Sequence, residues 1–216
     1  MNNQELNKIT ASYTTFLDRY YMTTIHKSLM KNVRKEGLIL DFGGGNREIK
    51  KANPAYKVIN WDIQPELRDI PDYRVLKPNF IICCHVLEHL SINELKRVLN
   101  NFEEMGFEKL IVASPMENYL SKIAALTSKK DVHLGHKTKY KEINKLCEYK
   151  FVLIKRYTLF GMTEVSVYIK ERKNDDCKFY SKENLLCNFR KHPITNSYSI
   201  ENPCKNCDKF KFKEIK

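Results

Sequence analysis

Leu38-Ile39-Leu40-Asp41-Phe42-Gly43-Gly44-Gly45 narrows the folds open to this chain more than any other stretch. An apolar run unbroken until its last acid reads as a strand buried on both faces, the kind found inside a parallel sheet. The glycines allow the chain to turn sharply, with positive φ, and let a ligand approach the bare backbone. Residues Asn46 to Ala52 then read as a short helix. Strand, tight turn and helix in that order are the opening unit of an α/β fold.

The same alternation continues. A second strand, Lys57 to Ile63, ends in Trp61-Asp62 and is bounded by Pro54 and Pro65. A third run, Phe80 to Cys84, leads into a helix opened by Ser91-Ile92-Asn93-Glu94, a capping box. Lys109 to Pro115 is a further strand. After Tyr119 the pattern predicts a short helix near Ser121 to Leu126 and another from Lys139 to Glu148. Two β-rich runs, Phe151 to Phe160 and Glu164 to Ile169, are separated only by Gly161-Met162-Thr163, which predicts a hairpin. Ahead of all this, Leu6, Ile9, Tyr13, Phe16, Leu17, Tyr20 and Tyr21 recur at helical spacing, so residues 2–33 read as helical. That segment either packs on the core or covers a ligand. The expected organisation is an N-terminal helical segment (1–33), an α/β domain (34–170) and a polar, cysteine-containing tail (171–216).

A chain of 216 residues with 42% hydrophobic content supports one substantial core. The start lacks a basic stretch followed by an apolar one, and the most apolar run is far too short to span a bilayer, so the reading is a soluble cytoplasmic protein. Seven cysteines, two of them adjacent at Cys83-Cys84, argue against a secreted disulfide framework. The net charge of +12 comes mostly from dispersed lysines, which read first as a solvated surface and leave nucleic acid as an alternative partner.

The acids flanking the glycine turn carry the chemical argument. A dinucleotide fingerprint would run G-x-G-x-x-G, but Glu48 stands where the third glycine belongs. Asp41, just before the turn, would repel a pyrophosphate and attract an ammonium group. The start of the following helix would favour a carboxylate. Asp62, ending the next strand, is placed to accept hydrogen bonds from ribose hydroxyls.

These residues, Ile39-Leu40-Asp41-Phe42-Gly43-Gly44-Gly45-Asn46, then Asn60-Trp61-Asp62, then Ile81-Ile82-Cys83-Cys84-His85-Val86-Leu87-Glu88-His89-Leu90, resemble the type 11/12 group of class I S-adenosylmethionine-dependent methyltransferases. The resemblance covers about Gly37 to Pro115. It implies an α/β three-layer sandwich with a mostly parallel seven-stranded sheet, the last strand antiparallel. It also implies that Asp41, Gly43, Gly44 and Gly45 hold the methionyl part of the cofactor and Asp62 the ribose. Ile63, Cys84 and His85 would complete the site, with His85 and its neighbours lining the cleft beneath the sulfonium. Asn79 stands where relatives commonly carry an aspartate, and the proline-rich stretch between Asp62 and Asn79 implies a reduced third strand. Asp69-Ile70 are candidates for the adenine contact.

Should the acceptor have to lose a proton, His85, His133 and His136 are the candidate bases, since imidazole titrates near neutral pH. His133 and His136 also read as metal ligands, although an ordinary loop pair is the reading their spacing favours, and Glu88-His89 read as cleft residues or as a helix start capping its own backbone. Cys177, Cys187, Cys204 and Cys207 supply four thiolates, enough for a structural zinc ion, although the nine residues between the first two are irregular for a zinc ribbon. Free or redox-sensitive thiols, or a tail that recognises substrate, are the alternatives. The leading reading is a methyltransferase acting on a small molecule, sugar or lipid-linked precursor. RNA or protein acceptors, a non-catalytic binding or scaffold protein, and an NAD-dependent oxidoreductase are the competing readings.

Overall fold

In the computed structural model, which describes residues 16–118 and 135–170 and two short strands further on, the first apolar run forms β1 (Leu38–Phe42). Before it lies α1 (Phe16–Met30); residues 1–15, also expected to be helical, lie outside the described residues. The chain continues through α2 (Glu48–Ala52), β2 (Lys57–Trp61), β3 (Phe80–Cys84), α3 (Ile92–Met105), β4 (Lys109–Pro115), α4 (Tyr140–Lys150), β5 (Phe151–Leu159) and β6 (Thr163–Lys170). The expected helix near residues 121–126 lies outside the described residues. β5 and β6 form the expected hairpin, and Ser91 caps α3 with both bonds of its capping box in place.

The sheet runs in the order β2-β1-β3-β4-β6-β5. β1 to β4 are parallel, and β6, the last strand of this sheet in sequence, pairs antiparallel with both β4 and β5. Successive side chains of a strand point to opposite faces, and the core divides accordingly. On one face Leu40, Ile81, Cys83, Leu110 and Tyr168 pack with Leu95, Leu99 and Phe102 of α3 and Ile143 and Cys147 of α4. On the other, Ile39, Ile82, Ile111, Val165 and Val167 pack with Met22, Ile25 and Leu29 of α1 and Ile49 of α2. The result is a three-layer α/β/α arrangement.

The sheet has six strands among the described residues, where seven were expected. Pro65, Pro71 and Pro78 deprive the stretch after β2 of backbone donors, so it forms single 3₁₀ turns at Pro65–Leu67 and Tyr73–Val75. One residue replaces the missing strand. The Asp69 N–H donates to Asn60 O (2.9 Å), and Asp69 Oδ2 accepts from the Asn60 N–H (2.8 Å), which satisfies the outer edge of β2 at that point. Asn60 Nδ2 also donates to Leu67 O (2.7 Å).

Asn79 ties the starts of the central strands together. Its Oδ1 accepts from the Leu38 N–H (2.9 Å) while its Nδ2 donates to Glu108 (2.8 Å), a pair of roles that an ionised aspartate cannot fill.

By its contacts the chain divides into two units, Met1–Lys170 and Glu171–Lys216. In the second, β7 (Tyr180–Ser181) pairs antiparallel with β8 (Leu186–Cys187). Among the described residues no helix is long and apolar enough to cross a membrane.

Candidate cofactor and active site

The strand order places β2 on one side of β1 and β3 on the other. A ligand crevice forms where the order reverses in this way, outside the carboxyl ends of the strands. The turn after β1 and the turn after β3 meet there.

Gly43 has φ +74, and a Cβ on it would run into the Val86 side chain, so glycine is what lets the two turns touch. A Cβ on Gly44 would collide with both the Asp41 carboxylate and Asn60 Oδ1. At Gly45, φ +47, the corresponding space is open. Its N–H donates to Asp62 Oδ2 (3.1 Å), while Asp62 Oδ1 accepts from the Gln64 N–H (3.0 Å). The expected helix-start contribution is small: α2 has only five residues, and Arg47, the residue that precedes it, is left-handed at φ 62. Fixed backbone N–H groups of the turn remain, but the helix dipole is short.

Asp41 is buried (1% exposed), and neither carboxylate oxygen has a hydrogen-bond partner. Asn60, its register neighbour on β2, leaves Oδ1 equally unpartnered. Burial, reinforced by the nearby Asp62 and Asp69 charges, pushes the Asp41 carboxyl up to about 7. A buried acceptor cluster of this kind is costly unless a donor arrives. Asp69, a candidate for the adenine contact, is committed elsewhere: besides Asn60 it binds Lys50 Nζ (2.7 Å) and pairs with Arg47 (3.3 Å). Ile63 projects at the rim, 69% exposed.

β3 ends in Cys84, and His85 takes up a left-handed backbone (φ 52), uncommon for a side chain of this size. Its N–H is anchored on Ala113 O (2.9 Å), and its Nε2 lies 3.1 Å from Thr163 Oγ1. Tyr21 of α1 hydrogen-bonds the same threonine hydroxyl, so the N-terminal helix reaches the cleft residue through one intermediary. Burial, with added influence from His136, His26 and His89, holds the His85 imidazole down at about 3. Cys84 is pushed well above its ordinary value by burial, so it is a neutral thiol.

The 3₁₀ turn Leu87–His89 follows. Glu88 is 2% exposed and both its carboxylate oxygens lack partners. Burial pushes the group up to about 8. The His89 and His136 rings stand edge to face, 5.0 Å apart. The sequence offered Glu88-His89 as a helix start capping itself; α3 instead begins at Ile92 behind Ser91, which frees Glu88 from any capping role.

The structure thus brings together Asp41, Gly43, Gly44, Gly45, Asp62, Cys84 and His85 at one end of the sheet, and places His136 with Glu88 and His89. His133, Cys177, Cys204 and Cys207 lie outside the described residues, and of Cys187 only its place in β8 is described. Sequence reasoning missed Asn60, Thr163 and Tyr21. Asn60 carried a faint signal, its place beside the strand-end Trp61-Asp62; Thr163 and Tyr21 carried none, because they lie far from His85 along the chain.

No protein-family model matches the chain, and no curated protein matches it by sequence. Solved structures do. The PH0226 protein from Pyrococcus horikoshii OT3 is 14% identical, with 77% of this chain and 98% of that one covered and a TM-score of 0.60. The N-methyltransferase NodS from Bradyrhizobium japonicum WM9, in complex with S-adenosyl-L-homocysteine, is 13% identical, with 78% and 98% covered and a TM-score of 0.56. Magnesium protoporphyrin IX methyltransferase (ChlM) from Synechocystis PCC 6803 with bound S-adenosylhomocysteine is 14% identical, with 78% and 94% covered and a TM-score of 0.51. These likenesses show the fold: the chain has the Rossmann-like architecture of class I S-adenosylmethionine-dependent methyltransferases.

Proposed function

We propose that this chain is an S-adenosylmethionine-dependent methyltransferase. The observation that carries the reading is the buried, unpartnered Asp41 carboxylate beneath a glycine turn that a Cβ would fill. An amino acid moiety suits that place, its ammonium answering Asp41 and its carboxylate the backbone N–H groups of the turn. A pyrophosphate would meet Asp41 as a like charge. Asp62 takes the ribose hydroxyls, and Ile63, exposed beside it, offers an apolar surface to the adenine.

The bound cofactor supplies an activated methyl group, and the protein's part is to align an acceptor in line with it and exclude water. His85 serves as a neutral wall beneath the sulfonium rather than as a base, since an imidazole held at about 3 takes no proton near neutral pH. A small-molecule acceptor is the reading we favour, supported by the dispersal of the lysine charge along the chain.

The test is calorimetric titration of the purified chain with S-adenosylmethionine, S-adenosylhomocysteine and NAD. We expect micromolar binding of the adenosyl ligands, about −8 kcal/mol, none of NAD, and loss in Asp41→Ala and Asp62→Ala. Folded protein that binds none of the three would overturn the reading.

A further inference from the structure

We propose that Glu88, His89 and His136 bind a divalent first-row transition-metal ion of the zinc type, beside the methyl-transfer cleft and independently of the cofactor. Each side chain offers one ligand atom, and the three atoms lie within 4.8 Å of one another. In a tetrahedral shell with bonds of about 2.0–2.2 Å, ligand atoms stand roughly 3.3–3.6 Å apart. The remaining gap is the scale of a side-chain rotation on a fixed backbone.

That backbone is fixed by bonds that owe nothing to a metal. Glu88 O accepts from the N–H groups of Lys137 (2.7 Å) and Thr138 (3.1 Å), and Thr138 Oγ1 donates to Leu90 O (2.6 Å). The segment carrying His136 is therefore clamped onto the turn carrying Glu88 and His89, forty-odd residues earlier in the chain. His89 Nδ1 lies 3.4 Å from Gly135 O, an arrangement that orients the ring and leaves Nε2 for a metal, as backbone carbonyls do for metal-bound histidines elsewhere.

The independent pointer to a cation is Glu88 itself. A carboxyl this buried, with neither oxygen partnered, either keeps its proton or takes a cation as partner, and the two imidazoles beside it make a cation the partner the geometry supports. The donor set selects the ion: two imidazoles with one carboxylate suit zinc and its neighbours, whereas magnesium and calcium prefer oxygen alone. Three protein ligands also leave a position open for water or a substrate oxygen, the pattern of working rather than purely structural sites.

The full chain, stripped of metal, would be titrated with Zn²⁺ calorimetrically and with Co²⁺ by visible absorption. A parallel titration would use the Cys177→Ser, Cys187→Ser, Cys204→Ser, Cys207→Ser variant, because the tail thiolates are rival ligands. We expect one ion bound with nitrogen and oxygen ligation, seen as visible Co²⁺ bands in the cysteine-free variant without thiolate charge transfer. Mg²⁺ should not compete. Glu88→Gln, which removes the carboxylate ligand while keeping its shape, and His136→Ala should each weaken binding by at least the roughly 10–100-fold that outer-shell changes cost, with circular dichroism confirming the fold. Binding that is absent in folded protein, or unaltered by both substitutions, would overturn the site. Neither result bears on S-adenosylhomocysteine binding, so failure here and failure of the methyltransferase reading are separable.

Discussion

Asp41 shows most clearly what a single residue costs the fold. Its carboxyl is raised to about 7 by burial and by the Asp62 and Asp69 charges, so between about pH 4 and about pH 7 the unfolded chain has released this proton while the folded chain keeps it. The folded state binds more protons over that window, and the group's contribution to stability therefore falls as pH rises, then levels off above about pH 7. Asp41→Asn removes the loss. In urea unfolding the variant should gain on the parent chain from about pH 4 upward, by as much as about 4 kcal/mol at pH 8, while binding S-adenosylhomocysteine more weakly. A constant difference across pH would show that Asp41 does not titrate as its burial requires. This residue was legible in the sequence because its meaning lies in local spacing: an acid that closes an apolar run immediately before glycines. Thr163 was not. It acquires a role only when β6 inserts beside β4 and brings its hydroxyl to His85, and no local pattern encodes that approach.

At the scale of elements, the strands buried on both faces were the readable ones. β3 and β4 occupy the spans their apolar runs predict, because a buried parallel strand has no room for polar residues. Among the described residues the sheet has six strands rather than the expected seven, and the prolines after Asp62 that keep that stretch from forming one were in the sequence, but the device that compensates was not visible there. Asp69 closes the outer edge of β2 with a backbone bond and a carboxylate bond to the same residue, Asn60. At the opposite edge, β5 has a register shift between Leu153 and Lys155 and exposes Lys155 and Arg156, which discourages further pairing. Burial works against the Asp69 carboxylate, yet Lys50, the Asn60 N–H and Arg47 outweigh it and hold the group below its usual range. Its contribution is thus present at neutral pH and fades as acid protonates it. Asp69→Ala should lower stability by about 1–3 kcal/mol near neutral pH, with the loss shrinking toward about pH 3, and should open the β2 edge to self-association. Urea unfolding and analytical ultracentrifugation would read the two effects; an unaltered monomer of unaltered stability would show that the edge needs no cover.

Across the whole molecule, the sheet and both of its core faces are built from the unit that ends at Lys170. The position of the last strand matters as much as its end point. β6 lies inside the sheet between β4 and β5, so the chain leaves the sheet from an interior strand, and the edge strands are β2 and β5. Ending the chain after Lys170 therefore opens no new edge and removes no member of either apolar cluster among the described residues. The residues proposed to hold the cofactor, Asp41, Gly43, Gly44, Gly45, Asp62 and His85, all precede that point. A chain ending at Lys170 should accordingly unfold cooperatively and bind S-adenosylhomocysteine within about threefold of the full chain, less than about 0.7 kcal/mol. Acceptor choice follows a different logic, since specificity on a shared fold resides in loops and appended segments. Calorimetry on the shortened chain separates the two: retained cofactor binding with lost turnover assigns the tail to the acceptor, whereas a shortened chain that fails to fold shows that residues beyond Lys170 belong to the core.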